Sequence, residues 1–262
     1  MQQSRADPCV IYKFDNLNDL ILMVTKTVGN CAITGTTENI YWFMDGLETR
    51  FNITRDGKLK KHLGFEYTWG QIDDRKMFCK DMMVKKADVI VEYYEIHTNG
   101  KVKESETPGI SNEHLIKNNG PTLDLDKFWS PVGKVMFFST KVCPKVGVSV
   151  RALSSHMSNP GTSHWNSMKR LIGFIKHMEL KGIRHVQLEC FKTVLLADTD
   201  YANCKETRHS VGCSFITIGG CLVDRWMVKH QTVSVSSCKA EYKELAKCAK
   251  GVMFIHNILK GN

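Results

Sequence analysis

The chain has 262 residues, 42% of them hydrophobic and 24% charged, a balance that supports ordinary cores and leaves room for two domains. It excludes collagen-like, mucin-like and disordered classes, and no apolar run approaches the roughly 20 residues that cross a bilayer. The net charge of +9 directs attention to polyanions such as nucleic acid, and the lack of a basic stretch followed by an apolar one at the N-terminus gives the expectation of an intracellular protein, cytoplasmic or nuclear, with no membrane partner.

Short strands come first: Cys9–Phe14, Asp19–Val28 and Cys31–Thr34. The stretch "LILMVTKTVGNCAITG" reads as a hairpin that turns on Val28, Gly29 and Asn30, with Gly and Asn supplying the positive φ of a tight turn. A helix is expected over Glu38–Phe51, and "KLKKHLGFEYTW" returns to strand. Residues 70–128 are polar and hold "TNGKVKESETPGISNEHLIKNNGPT", which reads as a linker or extended crossover.

An apolar, helix-compatible segment runs from Val132 to Ser155 and stops at "SNPG", after which Ser163 is placed to cap the next helix. There Trp165, Met168, Leu171, Ile172, Ile175 and Met178 recur at helical spacing as a core stripe. Lys169, Arg170, Lys176 and Lys181 make the other side basic, either a nucleic-acid-binding face or a solvated one. In the tail, "FKTVLLADTDYANC", "SVGCSFITI" and "CLVDRWMV" read as three strands, the last two joined by a Gly219–Gly220 turn. A helix from about Cys238 to Leu259 follows, with Tyr242, Leu245, Ala249, Val252 and Leu259 expected to pack as one stripe.

The ten cysteines include no Cys-x-x-Cys pair and read as reduced, buried thiols; the ten histidines lack zinc spacing. Carboxylates carry more chemistry. Asp198 and Asp200, two apart on a strand, share a face, and Glu241 lies in the first turn of the final helix. Such groups can hold magnesium for phosphodiester cleavage, or simply cap a strand end and compensate a helix dipole.

"SNPGTSHWNSMKRLIGFIKHMELKGI" resembles the segment that joins reverse transcriptase to ribonuclease H in Ty1/copia-type retrotransposon polyproteins, and "LLADTDYANC" through "SSCKAEYKELA" resembles the opening of that ribonuclease H. "HLGFEYTWG", "ETPG" and "SPVGKVMFF" match further motifs in the same order, so the resemblance covers nearly the whole chain. It implies an α+β fold: a partial reverse-transcriptase palm and thumb-like region at 1–128, a helical connection at 129–185, and a truncated ribonuclease H-like βββα unit at 186–262.

In that family the first hairpin carries Tyr-Val-Asp-Asp at its tip, and the two aspartates hold the polymerase magnesium ions. Gly29 and Asn30 stand in their place, so the polymerase site is lost, and the fingers are expected upstream of Met1. By the same resemblance Asp198 and Glu241 are the first catalytic aspartate and the catalytic glutamate of ribonuclease H and ligands of a weakly held Mg²⁺. Asp200 is the stand-in for an aspartate expected beyond Asn262. Tyr201 and Lys239 depart from the family pattern. The implied partners are RNA–DNA hybrid or duplex nucleic acid and other retrotransposon-derived polypeptides. The expected function is a partial copy of a reverse transcriptase/ribonuclease H, inactive as a polymerase and at most weakly active as a nuclease; the alternatives are a non-catalytic nucleic-acid-binding module derived from a retrotransposon and a translated relic with no selected activity.

Overall fold

The computed structural model describes residues 1–72, 75–82, 84–98, 100–110, 114–178, 182–186, 190 and 192–260, of which 72, 75–82, 84–87 and 98 are described for the backbone alone. The fold mixes helices and antiparallel sheets, the α+β class expected. The chain divides into two compact units, Met1–His62 with Ala249–Asn262, and Leu63–Cys248. Neither expected boundary, after 128 or after 185, coincides with this division.

In the first unit, β1 (Gln2–Gln3), β2 (Val10–Phe14), β3 (Leu20–Thr27) and β4 (Asn30–Gly35) form an antiparallel meander, followed by α1 (Thr37–Glu48) and the short β5 (Lys61–His62). Val10 and Tyr12 on β2, and Leu22 and Val24 on β3, alternate along their strands and are buried. The Tyr12 hydroxyl donates to the Ile258 carbonyl. Helix α1 buries none of its residues. It is held by the Lys13 ammonium, 3.6 Å over the Trp42 ring, and by Arg55, which reaches Asp45 and Glu48 at 2.6 Å each.

In the second unit, β6 (Phe65–Ile72), β7 (Arg75–Met82) and β8 (Gly182–Val186) pair antiparallel in that order. Between β7 and β8 come α2 (Val84–Thr98), α3 (Leu125–Lys141), a 3₁₀ turn at Pro144–Val146, α4 (Gly147–Ser154) and α5 (Thr162–His177). The expected linker at 70–128 thus contains the end of a strand, a second strand and a helix. The signal was thin because, among its described side chains, α2 turns a narrow stripe, Ile90, Val91 and Tyr94, into the core, and because β7 finds one of its partners in β8, far along the chain.

The core of this unit gathers Phe128, Val132, Val135 and Phe138 of α3, Val150 and Leu153 of α4, and Met168, Leu171, Ile172 and Ile175 of α5, the expected stripe. Asp124 caps α3 by accepting from the amides of Asp126 and Lys127. The cap of α5 is not Ser163, which lies inside the helix. Gly161 is the N-cap, and its amide donates to Nδ1 of His164, 2.9 Å away.

Strands β9 (Thr193–Asp200), β10 (Val211–Ile218) and β11 (Cys221–Lys229) form a second sheet with β10 central. Gly219 and Gly220 both have positive φ, as the tight two-residue turn requires. Helix α6 (Ser237–Lys260) follows, its residues from Ala249 onward belonging to the first unit. Along β10 burial alternates strictly: Gly212, Ser214, Ile216 and Ile218 are buried on one face. Among the described residues no helix is long and apolar enough to cross a membrane.

Candidate functional site

Thr27 pairs with Asn30 across the β3–β4 hairpin, leaving Val28 and Gly29 as the two-residue turn. Gly29 alone supplies positive φ (79°); Asn30 is the first residue of β4, a correction to the expectation that both do so. The tip therefore presents a fully exposed Val28 and a side-chain-free Gly29, and Asn30 is exposed beside them. No anionic ligand stands at 28–30.

The β9–β10–β11 sheet divides the carboxylates by strand alternation. Register places Thr199 opposite Gly212, Asp198 opposite Cys213, Ala197 opposite Ser214 and Asp200 opposite Val211. Thr199, Gly212 and Ser214 meet α6: the Thr199 hydroxyl donates to the Ala240 carbonyl at 3.4 Å, and the Ser214 hydroxyl to Glu244 Oε1 at 2.5 Å. Asp198 and Asp200 take the opposite face. There they line a cleft of about 610 Å³ with Val211, Cys213, Met227 and Lys229 of the same sheet.

The cleft's other walls are α4 with the turn after it (Arg151, Ser155, His156), the segment His114–Asn118, and the loop Asn203–Glu206. Asp200 accepts a short hydrogen bond from the Asn203 side-chain amide, Nδ2. Glu206 accepts from the Lys117 backbone at 2.7 Å. Asp198 and Asp200 are brought together, both exposed. Glu241 is exposed on the helix that covers the other face, so the sheet lies between the Asp198 side chain and that helix. Among the described residues no cluster of three or more histidine, cysteine or carboxylate groups could hold a metal ion.

The expected apolar stripe of α6 is corrected in the same way. Tyr242 is 67% exposed and Leu245 46% exposed, while Ala240, Glu244 and Cys248 are fully buried. Glu244 can be buried because three donors satisfy it: Ser214, the Trp226 indole at 2.9 Å and His230 Nε2 at 3.2 Å. The approach is so close that a Cβ on Gly212 would meet the Glu244 carboxylate. Sequence reasoning missed this site; a glycine within a strand pattern, Gly212, was the available sign of it.

Cys204 was also missed. Burial raises its pKa, but hydrogen bonds from Thr207, from Lys229, whose Nζ lies 3.2 Å from the sulfur, and from the Glu206 backbone outweigh that and bring it down to about 7. Burial pushes the thiols of Cys213, Cys143 and Cys248 the other way, but Cys9, Cys31, Cys190 and Cys238 are exposed, a correction to the expectation of buried thiols.

On α5 the basic groups are mostly committed within the protein. Arg170 donates to the Thr107 hydroxyl at 2.7 Å. Lys176 donates to Glu95 at 3.1 Å and to the Val102 carbonyl at 3.2 Å, and His177 faces Glu104 at 3.3 Å. The bond from the Val102 amide, then Lys176, holds the Glu95 carboxyl below its ordinary range. The segment 102–107 lies on the helix at Gly173, where a Cβ would stand 2.3 Å from the Lys103 carbonyl oxygen. Lys169 is exposed, and Lys181 lies outside the described residues.

Comparison with known proteins gives a consistent set of relatives. The chain is similar to the "Secreted RxLR effector protein 161" of Plasmopara viticola, 29% identical over 130 residues, 49% of this chain and 90% of that protein. It is similar to an uncharacterised mitochondrial protein of Arabidopsis thaliana, 30% identical over 127 residues, 48% of this chain and 52% of that protein. To the retrovirus-related Pol polyprotein from transposon TNT 1-94 of Nicotiana tabacum it is 24% identical over 270 aligned residues, 97% of this chain but 19% of the polyprotein. No family model matches the chain, and no solved structure matches it significantly. Along nearly its whole length the chain is a homologue of the retrovirus-related Pol polyproteins of copia-type transposons, spanning a fifth of their length or less.

Proposed function

We propose that the chain corresponds to the end of a reverse transcriptase, the connection and the opening of a ribonuclease H, in a form that neither extends primers nor cuts RNA–DNA hybrid at an appreciable rate. The observation that carries this reading is the β3–β4 tip, where Val28 and Gly29 make the turn and no carboxylate is available to hold a dication. In the ribonuclease H-like part, Asp198 and Asp200 suit at most one hydrated Mg²⁺, bound weakly as at sites with one or two protein carboxylates. When bound, that ion would supply Lewis acidity. Glu241 rides on the helix of the opposite face, which argues against a cluster of two ions.

Contact with RNA–DNA hybrid or duplex is weak and salt-sensitive in this reading. The net charge of +9 and the exposed Lys169 favour it, while the internal bonds of Arg170 and Lys176 withdraw two of the expected cations. The test is the purified chain with a primed RNA template and nucleotides in Mg²⁺ or Mn²⁺, and with labelled hybrid in Mg²⁺. No extension and at most trace cleavage are expected. Processive extension, or robust cleavage abolished by Asp198→Asn, overturns the reading.

A further inference from the structure

Two histidines stack beside the cleft at a ring-centroid distance of 4.3 Å, His156 in the turn after α4 and His164 in the first turn of α5. His164 is completely buried. Its Nδ1 accepts the Gly161 amide that caps α5, so Nε2 carries the proton and donates it to the Ile116 carbonyl, 3.0 Å away. The Leu115 backbone lies beside His156 and favours its charged form. The stack thus lies against residues 115 and 116, with His164 holding the second carbonyl, and that segment, through His114, Leu115, Lys117 and Asn118, is a wall of the cleft.

We propose that the His156–His164 stack is a proton-sensitive latch: neutral, it fastens the 114–118 wall of the cleft, and protonation releases that wall. The arrangement accommodates neutral rings only. A proton on His164 Nδ1 removes the acceptor from the Gly161 amide and sets two N–H groups face to face at the positive end of a helix dipole. A second cation then stands against the stacked His156.

The groups that face the pair pull in both directions, and the carbonyl of Ile116 favours a charged His164. Glu206, from the loop after β9, favours a charged His156, and Lys229 of β11 opposes it. Asp198 and Asp200 of β9, Lys205 of the loop after it, Arg151 of α4, and His114 and Lys117 of the wall itself border the same cleft. Burial, more than any single charge, holds both rings below the ordinary histidine range. The remaining ties of the segment, Lys117 to Glu206 and Asn118 to Asn159, do not titrate near neutrality on the donor side and keep the wall hinged after the histidines let go.

The latch works on the free protein, independently of what the cleft binds. Hydrogen exchange of the peptide covering 114–118, corrected for the intrinsic pH dependence of exchange, is measured from about pH 7.5 to about pH 5. Protection in this peptide is expected to fall by about tenfold or more, while peptides of the α3 and α5 core stay protected. His164→Gln keeps an acceptor for the Gly161 amide, as glutamine does at this helix position, and a donor for Ile116, but does not titrate. With His156→Gln as well, protection is expected to be flat across the range.

Corrected protection that does not change in the natural sequence overturns the proposal. So does a pH response that survives in the double glutamine variant. If that variant misfolds, the ring nitrogens of the natural protein are followed by NMR: titration of His164 without simultaneous loss of the Ile116 bond equally refutes the latch.

Discussion

A side chain at residue 212 and the carboxylate of Glu244 compete for one volume: a Cβ on Gly212 would stand 1.9 Å from Glu244 Oε2 and 2.3 Å from its Cδ. Nothing at the glycine can yield, since it sits in the central strand and is paired on both sides, with Thr199 and with Val228. The carboxylate is fixed by Ser214, Trp226 and His230. Gly212→Ala is therefore expected to cost about 3 kcal/mol in urea unfolding, through overpacking and loss of a buried polar network. In a Glu244→Ala background the same change costs under about 1 kcal/mol, because the colliding group is gone, and this non-additivity is the signature to look for.

Lys169 and Lys176 separate binding from anchoring. Lys169→Ala is expected to lower the slope of log affinity against log salt for duplex nucleic acid by about one, if that face meets phosphate. Lys176→Ala leaves the slope nearly unchanged and loosens the 102–107 segment, read as faster amide exchange at Val102, whose amide is held by the Glu95 carboxylate that Lys176 also binds.

Cys204 is expected to alkylate faster than the buried thiols at neutral pH. The reactive species is the thiolate, so the rate of reaction with iodoacetamide rises with pH and passes half its plateau near 7. Lys229→Met removes the ammonium 3.2 Å from the sulfur and moves that midpoint upward. An unchanged midpoint would mean that the contact is not electrostatic in effect.

Helix α6 offers a test of which face is structural. Tyr242→Ser and Leu245→Ser change stability by less than about 1 kcal/mol, as exposed positions do. Ala240→Leu, at a fully buried contact with β9, costs about 2 kcal/mol or more. Thermal or urea midpoints of the three variants decide the ordering.

The contrast between β10 and α6 explains how far the sequence could be read. "SVGCSFITI" announces a strand by its β-branched and aromatic residues and its turn by the two glycines that follow, both local signals, and both elements appear in the structure. The α5 stripe was equally legible, since its apolar positions alone are periodic. On α6 hydropathy selected Tyr242 and Leu245 and passed over Glu244, whose burial depends on donors from residues 214, 226 and 230. No local pattern reports donors that arrive from another element. Alternation told that Asp198 and Asp200 share a face, but not that α6 takes the other one. The His156–His164 stack was invisible for the same reason, as its partners are backbone groups of residues 115 and 116.

The pairing of Met77 with Val186 has a kinetic consequence. Roughly a hundred residues separate the two strands, so closing that pair carries the loop entropy of a long-range contact. The β9–β11 meander and the β2–β4 meander, built from adjacent segments, are free to zip first. Until β8 arrives, β7 has hydrogen-bonding groups open along one side, the condition under which strands join other chains. A polypeptide of this sequence interrupted anywhere between α2 and β8 would keep that edge permanently open, and self-association through β7 would then compete with folding.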